Sequence, residues 1–394
     1  MIIRDAGSRL TELARYYPVV SVSGPRQSGK TTLCRAAFPA MPYVSLEPLD
    51  VREFATDDPR GFLASLRDGA IIDEVQRAPD LFSYLQEEVD ARPDPGRFIL
   101  TGSQQLPLTA SVAQSLAGRT GFVQLYPPSW AELKRFPSAP SELFDVLWTG
   151  AYPRIFDRHI PPHQWLADYV ATYVQRDVRQ LLNVGDLRSF TTFLQLCAGS
   201  TSGETHLSRL GADAGISHNT AKAWLSVLEA TYIIFRVPGW HPTFRKQVVK
   251  SSKLHFVDTG LASYLLGIRE PDQLRTHPLR GALFESWVAS ELVKRNAHQG
   301  GGNTLFHYRD AAGLEVDLIA EDAQRTTLIE AKSGATVASD YTASVDRLAQ
   351  VIRNRDRAAS VATRVVFGGD GRQTRGTTQV VPWHEIDRMT LRDT

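Results

Sequence analysis

The chain has 394 residues, 42% of them hydrophobic, and its 44 Lys and Arg residues nearly cancel its 43 Asp and Glu residues. This length predicts two or three domains, each with enough chain to bury a core. The balanced charge excludes a protein that is basic throughout, so any contact with nucleic acid must come from a local patch.

No apolar stretch reaches about eighteen residues, which argues against a membrane-spanning helix. The first ten residues, MIIRDAGSRL, also lack the apolar run of a secretion signal. We therefore expect a cytoplasmic protein with no membrane partner. The two cysteines, Cys34 and Cys197, lie far apart and outside any CxxC pattern, so we expect packing roles rather than a disulfide framework or a cysteine-rich zinc site.

The first predicted strand, beginning at residue 19, runs directly into the sequence GPRQSGKTT. This segment fills every position of the phosphate-binding pattern GxxxxGK[ST] and opens a predicted helix, whose N-terminus favours anions. The glycines let backbone N–H groups point at phosphate oxygens, the lysine reaches the β- and γ-phosphates, and the hydroxyl after it can hold Mg²⁺. The residues predicted to contact nucleotide are Gly24, Pro25, Arg26, Gln27, Ser28, Gly29, Lys30, Thr31 and Thr32.

A second apolar run, residues 69–75 (GAIIDEV), ends in two acids. It is typical of a buried parallel strand, whose carboxyl end is where open α/β sheets bind ligands. We expect Asp73 to hold Mg²⁺ beside Thr31, and Glu74 to orient or activate the attacking water, because phosphoryl transfer depends mainly on positioning and charge stabilisation.

A third strand is predicted over residues 97–103 (RFILTGS), with Ser103 as first and Gln104 as second candidate for sensing the γ-phosphate. Arg119, at the entrance to a further apolar run, is a candidate cationic finger for the transition state, in its own subunit or a neighbour's. The alternative to a finger role is that Arg119 is a surface or ion-pair residue.

Apolar runs near residues 19, 43, 69, 97 and 121 alternate with helical stretches, which predicts an α/β fold with a mostly parallel sheet covered on both faces. We assign residues 1–135 to this nucleotide domain. A Pro-rich exit follows, and residues 144–156 and 165–182 have helical patterns within a second domain, residues 136–275.

The segment between residues 187 and 256 is typical of a helix-turn-helix unit. After a turn at Gly215, Ser217 is placed to cap a second helix. Apolar Ala221, Trp224, Leu225 and Leu228 form one stripe of that helix, and its exposed N-terminal part carries His218, Asn219, Thr220 and Lys222.

Residues 233–237 and 247–249 are predicted to pair as a hairpin, which would make the unit a winged helix. Its candidate nucleic-acid contacts are Arg245, Lys246, Lys250 and Lys253, since a basic wing suits phosphates. The alternative is a packing module between domains, with its second helix covered.

Residues 276–394 are assigned to a third domain that carries a second group of chemical side chains. Glu285 opens a helix, and Asp317, Glu330 and Lys332 follow on two predicted strands. Glu330 and Lys332 project from the same face of their strand, and pairing with the strand of Asp317 would bring two carboxylates and one ammonium together. Such a group suits Mg²⁺-assisted phosphodiester cleavage.

This third domain resembles the PD-(D/E)xK nuclease core: Asp317 matches its first acid, Glu330 and Lys332 its ExK pair, and Glu285 its helical acid. Val316 stands where the motif has proline. The whole chain resembles the bacterial and archaeal ATPases that pair an AAA-type domain of the P-loop NTPase fold with a domain-of-unknown-function 4143 tail. The segments that carry this resemblance are GPRQSGKTTL, AIIDEVQRAPDLF, ILTGSQQ, LAGRTGFVQLYPPSWAE, KLHFVDTGLASYLLG, GALFESWVASEL and EVDLI with IEAKSG.

The resemblance implies ATP binding, hydrolysis with Mg²⁺, a winged-helix connection and a nuclease-like end. Two hypotheses follow for the whole chain. It is an ATPase whose nucleotide state moves a module that binds or cuts DNA, or it is a slow nucleotide switch or interaction scaffold with a catalytically silent tail. A finger supplied by a neighbour would require a homo-oligomer.

Overall fold

The computed structural model of the protein describes residues 2–103, 116–174, 187–240, 251–301, 304–322 and 325–389. The chain divides into two compact units. Unit 1 comprises Met1–Pro128, Ala230–Tyr232 and Lys294–Gly301, and unit 2 comprises Ser129–Glu229, Ile233–Val293 and Gly302–Thr394. The three-domain division expected from the sequence stays a prediction.

Unit 1 is built on a five-stranded sheet in which every neighbouring pair is parallel, with the order β2-β3-β4-β1-β5. Its strands are β1 Val19–Ser23, β2 Tyr43–Ser45, β3 Ala70–Asp73, β4 Phe98–Gly102 and β5 Thr120–Gln124. Its helices are α1 Ala6–Leu13, α2 Lys30–Ala37, α3 Leu49–Asp57, α4 Pro59–Ser65 and α5 Leu81–Ala91, with a short 3-10 turn at Val75–Arg77. All five predicted strands and the α/β class are confirmed.

Both faces of the central strands β1, β3 and β4 are buried, as their near-continuous apolar runs predict. Successive side chains of a strand point to opposite faces, so Val19 and Ile72 join one apolar cluster while Val20 and Ile71 join the other. The first cluster includes residues of α3, α4 and α5, and the second includes residues of α1 and α2. The central strands are therefore covered by apolar clusters on both faces, and Ser23, Asp73 and Thr101 place polar side chains at their carboxyl ends.

Unit 2 begins with short helices rather than the long ones expected. The predicted helix over 144–156 is interrupted at Gly150, which has φ +71°. The helix predicted over residues 165–182 begins earlier, at Pro162, and ends at Tyr169. A π-helical turn, Val170–Val174, follows it directly. Residues 175–182 lie outside the described part of the chain. The helices here are α6 Trp130–Leu133, α7 Leu143–Thr149, α8 Pro153–Asp157, α9 Pro162–Tyr169 and α10 Leu187–Gly199.

A buried carboxylate ties the break after α7 to a later helix, α13 (Thr259–Leu265). Asp258 accepts hydrogen bonds from the N–H of Leu261, capping α13, at 3.0 Å and from the N–H of Ala151 at 2.7 Å. A Cβ added at Gly150 would lie 2.2 Å from Asp258 Oδ1. Only glycine fits there, which explains why the long predicted helix stops.

Asp258→Ala is expected to lower the free energy of unfolding by about 2–4 kcal/mol, because it removes a helix cap and leaves the buried Ala151 N–H without its acceptor. Urea denaturation followed by circular dichroism measures this loss. Asp272→Ala, at a highly exposed carboxylate, is the matched control and should change stability by less than about 0.5 kcal/mol. Equal stability of the two variants would contradict the tying role of Asp258.

The helix-turn-helix segment has the expected local geometry. Helix α11 (Leu207–Asp213) leads through Gly215, at φ +69°, into α12 (His218–Ala230), and Ser217 Oγ accepts the N–H of Thr220 at 3.1 Å. The predicted stripe Ala221, Trp224, Leu225 and Leu228 is buried. The strand after α12, β6 (Ile234–Val237), pairs antiparallel with β7 (Lys253–Phe256); residues 241–250, including the predicted partner 247–249, lie outside the described part.

A six-stranded mixed sheet, in the order β12-β13-β11-β10-β9-β8, dominates the rest of unit 2. Its strands are β8 Thr304–Arg309, β9 Glu315–Glu321, β10 Thr326–Lys332, β11 Val361–Phe367, β12 Gln373–Arg375 and β13 Thr378–Pro382. The remaining helices are α14 Pro271–Thr276, α15 Arg280–His298 and α16 Ala343–Arg355, with a 3-10 helix at Trp383–Arg388. Val316, Leu328 and Val345 belong to the apolar core beneath this sheet.

Cys34 and Cys197 are both buried and unbridged, and burial raises the pKa of Cys197 to about 12. Their expected packing roles agree with this burial. Within the described ranges, no helix has the length and apolar character needed to span a bilayer.

Candidate functional site

The phosphate-binding loop connects the carboxyl end of β1 to the first residue of α2, Lys30. A Cβ at Gly24 would lie 2.0 Å from the Leu125 carbonyl oxygen, and Gly29 has φ +94°. Gln27 also has positive φ, at 63°. The close approach and the left-handed backbone explain why glycine stands at both fixed positions. The loop thus curls in front of the N-terminus of α2, which is an anion-binding arrangement.

Lys30 is buried, and its Nζ donates hydrogen bonds to the carbonyl oxygens of Gly24 and Pro25, each at 2.9 Å. Burial lowers its pKa to about 8, although the nearby charges of Glu74 and Asp73 act in the opposite direction. The ammonium therefore lies within the curl of the loop. Among the other predicted contacts, Pro25 and Ser28 are buried, Arg26 and Gln27 are half-buried, and Thr32 is exposed.

The side chain of Arg4 also binds this loop, a contact that the sequence did not predict. Its guanidinium donates to the carbonyl oxygens of Ser28 at 2.8 Å and Tyr126 at 2.7 Å. No motif or spacing relates Arg4 to the loop, which begins twenty residues later in the sequence. Only the packing of the N-terminal segment reveals this contact.

Asp73 and Thr31 meet at the edge of the sheet. Asp73 Oδ2 accepts hydrogen bonds from the hydroxyls of Thr31 at 2.9 Å and Tyr43 at 2.7 Å, and Oδ1 accepts one from Thr101. The structure brings together the two predicted Mg²⁺ ligands. Tyr43 and Thr101, on neighbouring strands, were not predicted, because their contacts depend on the strand order β2-β3-β4.

Glu74 has a left-handed backbone, with φ 57° and ψ 41°. This conformation costs a non-glycine residue about 1–3 kcal/mol and often marks functional positions. Glu74 Oε2 accepts hydrogen bonds from Gln76 Nε2 at 2.5 Å and Ser103 Oγ at 3.4 Å. Ser103 therefore lies beside Glu74, the predicted water-orienting acid. Gln76, which was not predicted, also contacts Glu74. Gln104 lies outside the described residues.

Arg119 does not reach the phosphate loop of its own chain, which corrects one of the two finger roles predicted for it. It precedes β5, whose first residue pairs with Val19, the first residue of β1. It therefore lies at the opposite edge of the sheet, about 16 Å along the strands from the loop. There its guanidinium forms an ion pair with Asp90, with Nε to Oδ1 at 2.5 Å and the second nitrogen to Oδ2 at 3.0 Å.

The C-terminal acids come together on β9, β10 and α15. Strands β9 and β10 pair antiparallel, and the N–H of Ala331 donates to Asp317 Oδ2 at 2.9 Å. Lys332 Nζ contacts Glu330 Oε1 at 2.7 Å. Burial, followed by the charge of Asp317, raises the pKa of Glu285 to about 8 and that of Glu330 to about 7.

Lys253 belongs to this group, which contradicts its predicted role as a nucleic-acid contact on or near the wing. Its side chain is 4% exposed, and its Nζ lies 2.9 Å from Glu285 and 2.8 Å from Glu315. Although burial acts to lower it, the carboxylates of Glu285, Asp317 and Glu315 raise the pKa of Lys253. Buried and paired, this lysine is not available to phosphates; Arg245, Lys246 and Lys250 lie outside the described residues.

In the part of the chain that the structure describes, no group of three or more His, Cys, Asp or Glu residues has an arrangement that could hold a metal ion. The four predicted nuclease residues are brought together, but an ammonium group lies among their carboxylates.

Comparison with known proteins identifies the class. An AAA domain matches residues 16–134, a Domain of unknown function (DUF8612) matches 140–272, and a Domain of unknown function (DUF4143) matches 280–386. The AAA match and the loop geometry define an ATPase domain of the P-loop type, a fold that supports ATP binding. The chain belongs to the family that joins this AAA domain to a C-terminal DUF4143 domain, which confirms the predicted resemblance.

Two curated relatives are each 31% identical to the chain over 342 residues, covering 84% of the chain and 74% of the relative. They are "Uncharacterized protein Rv2008c" of Mycobacterium tuberculosis and "Uncharacterized protein Mb2031c" of Mycobacterium bovis. The Walker-type ATPase paby2304 of Pyrococcus abyssi is 16% identical, with a TM-score of 0.46 over 66% of this chain and 95% of that chain. The PD-(D/E)xK resemblance has no counterpart among these matches and stays a prediction.

Proposed function

We propose that this protein binds ATP with Mg²⁺ in the loop between β1 and α2 and hydrolyses it. The observation that carries the proposal is the meeting of Lys30, Thr31, Asp73 and Glu74 at one edge of the parallel sheet. Phosphoryl transfer requires a phosphate cradle, a metal ligand set and a group that positions water, and these side chains supply one of each.

The donor set fits Mg²⁺. The Thr31 hydroxyl and the Asp73 carboxylate are hard oxygen ligands and lie within 2.9 Å of each other. When bound, Mg²⁺ neutralises charge on the β- and γ-phosphates. Tyr43 and Thr101 hold the Asp73 carboxylate in place by hydrogen bonds, so its orientation does not depend on the nucleotide.

Glu74 is the group that orients or activates the attacking water. Its carboxylate is held by Gln76 and Ser103, and its backbone conformation turns it away from the regular path of β3. Ser103 is proposed to report the γ-phosphate through this contact. Phosphate release from Mg·ATP by the purified full chain tests the activity, and absence of any release above the rate of a Lys30→Ala variant would contradict it.

Arg119 remains a proposal only as a finger for a neighbouring copy, since its own phosphate loop lies at the other edge of the sheet. In that role its ion pair with Asp90 must open. A homo-oligomer is then required, and turnover per chain should rise with protein concentration. Turnover that is the same at all concentrations would contradict a finger supplied by a neighbour.

DNA contact by the helix-turn-helix unit is a second proposal, favoured by the exposure of the N-terminal turn of α12. His218, Asn219 and Lys222 are exposed there, whereas the packing-module alternative expected this helix to be covered. A helix N-terminus with such side chains suits phosphate and base-edge contacts.

Lys222→Ala is expected to weaken DNA binding similarly for all sequences and to reduce the slope of log affinity against log salt by about 1, because one phosphate contact is lost. Fluorescence anisotropy with a labelled duplex at several salt concentrations measures both quantities. Lys134→Ala, which removes a lysine paired with Asp387, is the control. No DNA binding by the wild-type chain at low salt would remove the proposal.

For the C-terminal module we infer a nuclease-like core, supported by the meeting of Glu285, Asp317, Glu330 and Lys332. Cleavage and a catalytically silent scaffold are the two alternatives for this core. A Mg²⁺-dependent cleavage signal that disappears in Asp317→Ala would favour cleavage, and an unchanged signal in that variant would point to another site.

A further inference from the structure

The buried lysine of the C-terminal acid cluster, Lys253, comes from a part of the chain outside the nuclease-like core. It is the first residue of β7, and its backbone is fixed on both sides, by pairing with Val237 of β6 and by a bridge to Glu204. The position of its side chain is therefore set by two backbone contacts. It is not a mobile surface lysine that happens to lie near acids.

The ammonium lies among three carboxylates. Its Nζ is 2.9 Å from Glu285 Oε1, 2.8 Å from Glu315 Oε1 and 3.8 Å from Asp317 Oδ1. Asp317 binds the backbone N–H of Ala331 with its other oxygen, so the oxygen it has available for a cation is the one nearest Lys253. A buried ammonium requires such pairing, and so do the buried carboxylates.

Glu285 and Asp317 are also two of the acids that the sequence resemblance assigns to the nuclease core. The Lys253 ammonium lies between them, where an ion bound by both would have to lie. In a poorly solvated site, an ammonium and a divalent cation that contact the same carboxylates repel each other strongly.

We propose that Lys253 is a built-in cation that takes the place of a divalent metal ion in this cluster, so that the cluster binds no divalent cation while Lys253 is present. Removal of the ammonium leaves Glu285, Glu315 and Asp317, each with an oxygen within 3.8 Å of the Nζ position, as oxygen ligands for one such ion. The β6–β7 hairpin thereby keeps the nuclease-like core metal-free. The proposal is independent of the nucleotide site, which lies in unit 1.

Mn²⁺ titration of the full chain without nucleotide tests the proposal, with isothermal titration calorimetry as the measurement. Lys253→Met keeps the length of the side chain and removes its charge. This variant is expected to bind about one more equivalent of Mn²⁺ than the wild-type chain, and the additional Asp317→Asn substitution should remove that equivalent. Lys253→Arg keeps a cation and should behave like the wild type.

Two results would overturn the proposal. One is Mn²⁺ binding by the wild-type chain that Asp317→Asn abolishes, a comparison that does not depend on any Lys253 variant folding. The other is a folded Lys253→Met chain, judged by circular dichroism, that binds no additional Mn²⁺. If Lys253→Met folds only partly, Mn²⁺ should raise its melting temperature and leave that of the wild type unchanged; no rise in the variant contradicts the proposal.

Discussion

Lys30→Ala is expected to weaken ATP binding by about 2–5 kcal/mol, which is about thirtyfold to several thousandfold in affinity. The side chain is buried within the loop and donates to the Gly24 and Pro25 carbonyls, so it is held where the phosphates of a nucleotide would lie. Its removal takes a desolvated cation out of the phosphate site. Calorimetric titration with a non-hydrolysable ATP analogue and Mg²⁺ measures the loss.

The matched control is Lys222→Ala, which removes the same charge from an exposed position on α12. It should bind the analogue like the wild type. Lys30→Ala is also expected to keep its fold, because the substitution removes a buried charge rather than a packed apolar group, and its melting temperature checks this. A folded Lys30→Ala chain with affinity within about threefold of the wild type would contradict the assigned role.

Glu74→Gln is expected to lower kcat for ATP hydrolysis by about 10²–10⁴-fold, the usual effect of losing a general base or a water-positioning carboxylate. Nucleotide affinity should be unchanged, because Glu74 is not part of the phosphate loop. The glutamine has the same size and can still accept hydrogen bonds from Gln76 and Ser103. Phosphate release under saturating Mg·ATP, together with analogue binding, separates the two effects.

Glu87→Gln provides the control for this substitution, since Glu87 is an exposed acid on α5 paired with Arg60. Its turnover should match the wild type. Full turnover in Glu74→Gln would show that another group positions the water. A parallel loss of binding would instead mean that Glu74 supports the shape of the site.

The sequence predicted the elements whose causes are local. The loop at Gly24 and Gly29 follows from a fixed spacing of glycines with a strand before and a helix after. The acids Asp73 and Glu74 follow from an apolar run that ends in carboxylates. In both cases a few consecutive residues contain the whole physical reason.

Side chains that depend on strand order or on packing were missed. Tyr43 and Thr101 reach Asp73 only because β2 and β4 flank β3, and Arg4 reaches the loop only through packing of the N-terminal segment. The pairing register of β1 and β5 places Arg119 at the end of the sheet opposite the phosphate loop, which contradicts its role as a finger for its own chain. The environment of Lys253 was also missed. A lysine that follows a basic stretch of sequence is typical of a surface residue, and only the fold brings Lys253 to acids further along the chain.

Equilibrium dialysis of the wild-type full chain against ATP, with and without Mg²⁺, tests most directly whether the loop between β1 and α2 is a nucleotide site. About one ATP per chain should be retained with Mg²⁺, with weaker retention when EDTA removes the metal. No retention at millimolar ATP in the presence of Mg²⁺ would contradict the assignment of the loop, of Asp73 and of Glu74 together.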